Sequence, residues 1–208
     1  MPIFKPPPDF GELKSVTDTQ LDKLLEKAIW QEATSTELDE LAAIAKDPTS
    51  RDLLRVLYAL GRAGAVEYED IFESYLCLRD KPSVTGMALR CLCVYFGMSS
   101  KYKRYIEKYL KPFEIDEDGE LLHDAIWCAG EYLSENNNTV MAGIILAYLN
   151  DANTSKYNRW GAFSAICKGL GMSGAESSDF LDTYNDTAVA DEQIINAFRQ
   201  KFSLLVYH

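Results

Sequence analysis

A recurring stripe of apolar residues constrains this chain more than any other feature. Tyr68, Ile71, Phe72, Tyr75 and Leu76 stand at i, i+3, i+4, i+7 and i+8, the spacing of one buried face of an α-helix. The stripe then repeats. Adding 34 gives Tyr102, Tyr105, Ile106, Tyr109 and Leu110, and a further 39 gives Met141, Ile144, Ile145, Tyr148 and Leu149. A further 36 reaches Ser177, Phe180, Leu181, Tyr184 and Asn185, where only the central apolar residues are kept. Subtracting 30 from the first set gives a smaller-residue version, Leu38, Leu41, Ala42, Ala45 and Lys46.

Before each stripe runs a second apolar helix that ends near glycine. Leu53, Leu57 and Leu60 lead to Gly61; Ala88, Cys91 and Tyr95 lead to Gly97; Leu122, Ile126 and Ala129 run with Gly130; Trp160, Phe163 and Cys167 lead to Gly169 and Gly171. Glycine closes a last turn by accepting the left-handed conformation. Pro82-Ser83, Thr154-Ser155 and Asn136 to Thr139 are read as helix starts, and Thr17-Asp18 precedes a first stripe of Leu21, Leu24, Leu25 and Ala28. Period-two alternation between hairpin turns is missing, so the chain is read as all-α.

Helix, glycine turn, helix at a period of 34 to 39 residues is the pattern of an α-solenoid, in which hairpins stack because none buries its apolar face alone. The segment from Arg51 to Gly64, with Ala59-Leu60-Gly61 and a second glycine at Gly64, resembles the first helix of a HEAT repeat. Later repeats depart from it, reading Tyr95-Phe96-Gly97 and Cys128-Ala129-Gly130. The expected architecture is about five HEAT-like hairpins in a single domain over 17–208. The stripe Ile194, Ile195, Phe198, Phe202 and Leu205 is expected to form a C-terminal capping helix. Residues 1–16, with Pro6-Pro7-Pro8, form a Pro-rich arm that cannot be helical.

Function in such a scaffold rests on surface patches, and charge is the first guide. With 21 Lys+Arg against 32 Asp+Glu the chain carries a formal charge of −11. That disfavours phosphate-directed binding to nucleic acid and docking on anionic lipid, and favours a basic partner. The N-terminus carries no long apolar run and no stretch suits a membrane span, so a cytoplasmic protein is expected. Five cysteines, Cys77, Cys91, Cys93, Cys128 and Cys167, are odd in number and sit mostly in apolar runs, which reads as reduced core thiols.

Between Lys111 and Lys156 no Lys or Arg occurs, while nine acids do. Just before that interval Lys101, Lys103, Arg104, Lys108 and Lys111 cluster on one helix. The expected partner-binding residues are therefore Asp116, Glu117, Asp118, Glu120, Asp124, Glu131, Tyr132 and Glu135, an acidic face that steers a basic surface. Other chemistry is weighed and set aside. Read as a calcium loop from Asp116, the run places Trp127 at the position that needs a bidentate Glu. No carboxylate spacing favours an acid–base pair, and neither a catalytic residue, a metal nor another cofactor is expected. His123 is read as a helix-surface or boundary residue, Trp127 and Trp160 as core. Gly169-x-Gly171-x-x-Gly174 follows a helix, so the dinucleotide mechanism lacks its strand.

In size, acidity and helical-repeat architecture the chain resembles bacterial immunity proteins of polymorphic-toxin and contact-dependent inhibition systems. That resemblance implies a non-enzymatic protein that binds and neutralises a cognate toxin domain, such as a nuclease with a basic cleft. An intracellular adaptor is indistinguishable from it at this level. A helical-repeat nucleic-acid-modifying enzyme is the less favoured alternative. Oligomeric state is left open.

Overall fold

The computed structural model describes residues 19–78, 80–111, 116, 118–172 and 192–204, and every regular element among them is helical. The helices are α1 (Thr19–Ile29), α2 (Ser35–Ala45), α3 (Leu53–Ala63), α4 (Glu69–Tyr75), α5 (Pro82–Arg90), α6 (Lys103–Tyr109), α7 (Glu120–Glu135), α8 (Thr139–Asn150), α9 (Lys156–Gly169) and α10 (Glu192–Lys201). A 3-10 turn at Val66–Tyr68 leads into α4, and a π-helical turn at Cys91–Tyr95 prolongs α5. The Pro-rich arm, Thr17-Asp18 and the stripe from Ser177 to Asn185 lie outside the described residues, as does Leu205.

The odd-numbered helices lie side by side. α1 packs on α3, α3 on α5, α5 on α7 and α7 on α9, while α2, α4, α6 and α8 each rest against the odd helix that follows. Contacts along α7 and α9 fix their direction: His123 lies against Tyr157 and Gly161, Gly130 against Ala165, and Leu133 against Gly169. Both residue numbers rise together, so the two helices run parallel. Arg55 paired with Asp22, and the Gln31 side-chain amide donating to the Arg62 carbonyl at 3.1 Å, give α1 and α3 the same sense.

The even helices carry the recurring stripe, and its tyrosines repeat a single bond. Tyr75 donates its hydroxyl to the Ala45 carbonyl, Tyr109 to Leu76 at 2.5 Å and Tyr148 to Leu110 at 2.5 Å. Each hydroxyl thus satisfies a carbonyl that the end of the previous even helix leaves unpaired. A second rung joins Tyr68 to Asp39 at 2.7 Å and Tyr102 to Glu69 at 2.5 Å.

Gly61 does not close its helix. It lies buried inside α3, and a Cβ there would come within 2.4 Å of Cys91 Sγ, so its role is close approach between helices. The left-handed residue that ends α3 is Gly64, at φ 69. Gly130 is likewise internal, 2.8 Å from Ala165 Cα by the same measure. Pro82 opens α5 as its first residue, whereas Asn138 and Ser155 accept from the amides of Met141 and Asn158 as side-chain caps. Four cysteines are buried, but Cys77 is exposed. α10 seats Ile195 and Phe198, followed by Phe202, against the end of α9, where Lys201 Nζ donates to the Gly169 carbonyl at 2.5 Å.

Candidate functional site

The first two turns of α7 carry two adjacent ionisable side chains set about 100° apart around the helix, so that each reaches a different neighbouring helix. Asp124 turns toward α5. Its carboxylate lies 3.3 Å from Arg90 Nη1 and against Gly86, where a Cβ would meet Asp124 Oδ2 at 2.6 Å. Burial pushes the Asp124 carboxyl up to about 6, with Arg90 opposing the rise and Glu120 and Asp116 adding repulsion. His123 turns toward α9 and is buried rather than superficial. Its ring stacks on Tyr157 at 3.5 Å and 15°, with Trp160 parallel at 5.7 Å on that same helix. Burial, then the charge of Arg90, push His123 down to about 3, so the imidazole is neutral at pH 7.

Gly161 permits this stack, since a Cβ there would crowd His123 at 3.0 Å. One turn beyond His123, Trp127 takes the Arg90 guanidinium over its face at 4.8 Å and meets Trp160 at 5.7 Å. Both tryptophans are half-buried, and Tyr157 is 51% exposed. Among the described residues, the buried side-chain nitrogen and oxygen atoms without a hydrogen-bond partner are Arg90 Nε, His123 Nδ1, Trp127 Nε1, Asn158 Oδ1 and Arg159 Nε. All belong to α5, α7 or the first turn of α9. An unpaired buried polar atom costs about 1–3 kcal/mol, so polar groups are least completely satisfied in this part of the described fold.

The expected acidic face is distributed differently. Asp116 caps α7, its two oxygens accepting from the amides of Leu121 at 3.1 Å and Leu122 at 2.9 Å. Asp124 and Tyr132 are buried, and Glu131 pairs with Lys168 at 3.0 Å. Asp118, Glu120 and Glu135 are exposed. Glu117 lies outside the described residues. The basic cluster before it is similarly engaged, Lys101 with Glu69 at 2.9 Å and Lys103 with Glu107 at 2.7 Å, and Arg104 and Lys108 over the rings of Tyr105 and Tyr109. Charge segregated along the sequence is thus partly neutralised across helices.

Arg90, Tyr157 and Asn158 escape a reading by sequence alone. The available signal is His123 with Trp127 at i, i+4 and Tyr157 with Trp160 at i, i+3, on successive odd helices. No family model, curated protein or solved structure matches this chain. The arrangement suits contact more than proton transfer: His123 is covered by stacked rings, and Asp124 is enclosed by Arg90 and Gly86. Among the described residues no helix is long and apolar enough to cross a membrane.

Proposed function

We propose that this chain is a non-catalytic protein-binding module, built as a HEAT-like α-solenoid, that acts as an immunity protein by neutralising a basic toxin domain in the cytoplasm. The parallel odd helices and the repeated tyrosine bonds support the solenoid reading. The observation that carries the binding role is the half-exposed set Trp127, Trp160 and Tyr157, with Arg90 stacked behind it. Trp, Tyr and Arg dominate binding energy where a well-packed centre excludes water. The net charge of −11, exposed locally at Asp118, Glu120 and Glu135, supplies attraction to a basic partner at long range.

Affinity capture from cells of the organism of origin tests this reading. The wild type is expected to retain a basic protein, Trp127→Ala with Trp160→Ala to lose it by at least about tenfold, and Asp118→Lys with Glu120→Lys to slow its association. Co-expression is expected to relieve toxicity of that protein. Retention of the same protein by all variants, or capture of none that is basic, refutes the proposal.

A further inference from the structure

We infer that the exposed face of the odd helices seats a single amphipathic α-helix of the partner, laid across α3, α5, α7 and α9; this rests on the protein-binding role proposed above. A row of aromatic and guanidinium side chains defines the seat. Tyr58 on α3 meets Tyr95 edge-on at 6.1 Å. Arg62 covers the Tyr95 ring at 5.8 Å, and Arg90, at the end of the helix that Tyr95 prolongs, covers Trp127. Trp127 meets Trp160, and Trp160 meets Tyr157 at 6.4 Å. The stripe ends in exposed apolar surface on both sides, Leu54 at 39% one turn before Tyr58 and Tyr157 at 51%.

The opposite face is richer in charge, although Val66 beside α4 and Val140 on α8 are exposed there too. Glu40, Glu67, Asp70 and Glu73 on or beside α2 and α4, with Lys101, Arg104, Glu107 and Lys108 on or beside α6, are all exposed. Aromatic residues and Arg enrich interfaces, while Lys, Glu and Asp are depleted from them, which selects the odd face.

Length and hydrogen bonding select the occupant. Three helix-to-helix steps of about 8–10 Å span about 24–30 Å, the length of roughly 16–20 helical residues at about 1.5 Å each. The stripe offers rings and guanidinium groups but no unpaired main-chain edge, because the backbones beneath it are helical. A helix arrives with its backbone bonds already made, whereas an extended segment spanning the same distance would need only about 7–9 residues, a separation that the labelling below tells apart. Arg90 is neutralised by Asp124, so the seat favours an apolar face; the chain's −11 favours basic residues on the helix's other side and opposes a second copy of itself.

Photo-crosslinking decides the matter. Benzoylphenylalanine replaces Leu54, Tyr157 or, on the even face, Glu73, one at a time in the full chain. The expected result is that the Leu54 and Tyr157 positions label one partner chain at sites about 16–20 residues apart, in a basic segment with apolar residues at i, i+3 and i+4, while the Glu73 position labels none of it. With the labelled partner in hand, Tyr58→Ala is expected to weaken binding at least about tenfold and Glu73→Lys to leave it within about twofold. Labelling at Tyr157 alone overturns the inference and leaves the binding role standing; failure of both positions to label any basic protein removes both. Labels far apart in the partner, in a segment without helical period, on a second copy of this chain or on nucleic acid each refute the helix as occupant.

Discussion

His123 and Asp124 titrate in opposite directions, and their pH dependence tests the geometry of the α5, α7 and α9 cluster directly. His123 falls from 6.5 to about 3 on folding, so between those values the unfolded chain holds a proton that the folded one refuses. Stability from this residue is therefore complete above pH 6.5 and drains away as the pH falls. Asp124 rises from 3.8 to about 6, so within that window the folded chain holds the extra proton and stability is lost as the pH rises. Each slope is about 1.4 kcal/mol per pH unit. From about pH 4 to pH 6 the two oppose one another and nearly cancel.

Substitution separates them. Relative to wild type, His123→Phe leaves Asp124 uncompensated and should gain about 2–3 kcal/mol on acidification from pH 6 to pH 4. Asp124→Asn leaves His123 uncompensated and should lose a similar amount over the same interval. Urea unfolding at half-unit pH steps, with each variant's free energy subtracted from wild type at that pH, removes the contribution of every other carboxylate. If both differences stay flat, His123 is not buried away from protons and the stacked arrangement with Tyr157 and Trp160 is wrong. Slopes of the same sign in both variants would be equally damaging.

Other perturbations follow from single contacts. Arg90→Ala strands the Asp124 carboxylate and should cost about 3–5 kcal/mol in chemical denaturation at pH 7, with much of the loss recovered when Asp124→Asn is added. Gly130→Ala drives a methyl into Ala165 of α9 and should cost about 1–3 kcal/mol, readable as a lowered Tm. Tyr109→Phe removes a hydroxyl from the Leu76 carbonyl and should cost about 1 kcal/mol, and Tyr148→Phe the same at Leu110; a silent pair would mean the repeated bond does not contribute to joining the even helices.

The helical class and the even-helix stripe were legible because periodicity is a local property: Ile71, Phe72, Tyr75 and Leu76 are buried as their spacing requires, as are Ile106, Tyr109 and Leu110. The glycines were legible only as glycines. Gly61 and Gly130 carry the same letter as Gly64, yet they admit a neighbouring helix where Gly64 reverses the chain, and that distinction depends on Cys91 and Ala165, more than 29 residues away. His123, beside Leu121 and Leu122 in sequence, reads as a helix-surface or boundary residue, yet it is buried. What encloses it is Tyr157 and Trp160, on the next odd helix.

The charge pattern is a partial guide for the same reason, and more instructively. A run of acids implies a negative surface only if the residues nearest in space are those nearest in sequence. In this fold the lateral neighbour of a residue on an odd helix lies roughly one repeat away. Arg90 answers Asp124 across 34 positions and Lys168 answers Glu131 across 37, so cations excluded from the interval after Lys111 return to it from α5 and α9. Pairing at that separation offsets Asp124 and Glu131 near the tryptophans and leaves Asp118, Glu120 and Glu135 as exposed acids. Attraction at long range and adhesion at short range are thereby assigned to different residues. It follows that Asp118→Lys and Glu120→Lys should change the association rate and its salt dependence, while Trp127→Ala and Trp160→Ala should change dissociation. Stopped-flow measurements on the captured partner that showed the charge reversals acting chiefly on dissociation would contradict this division.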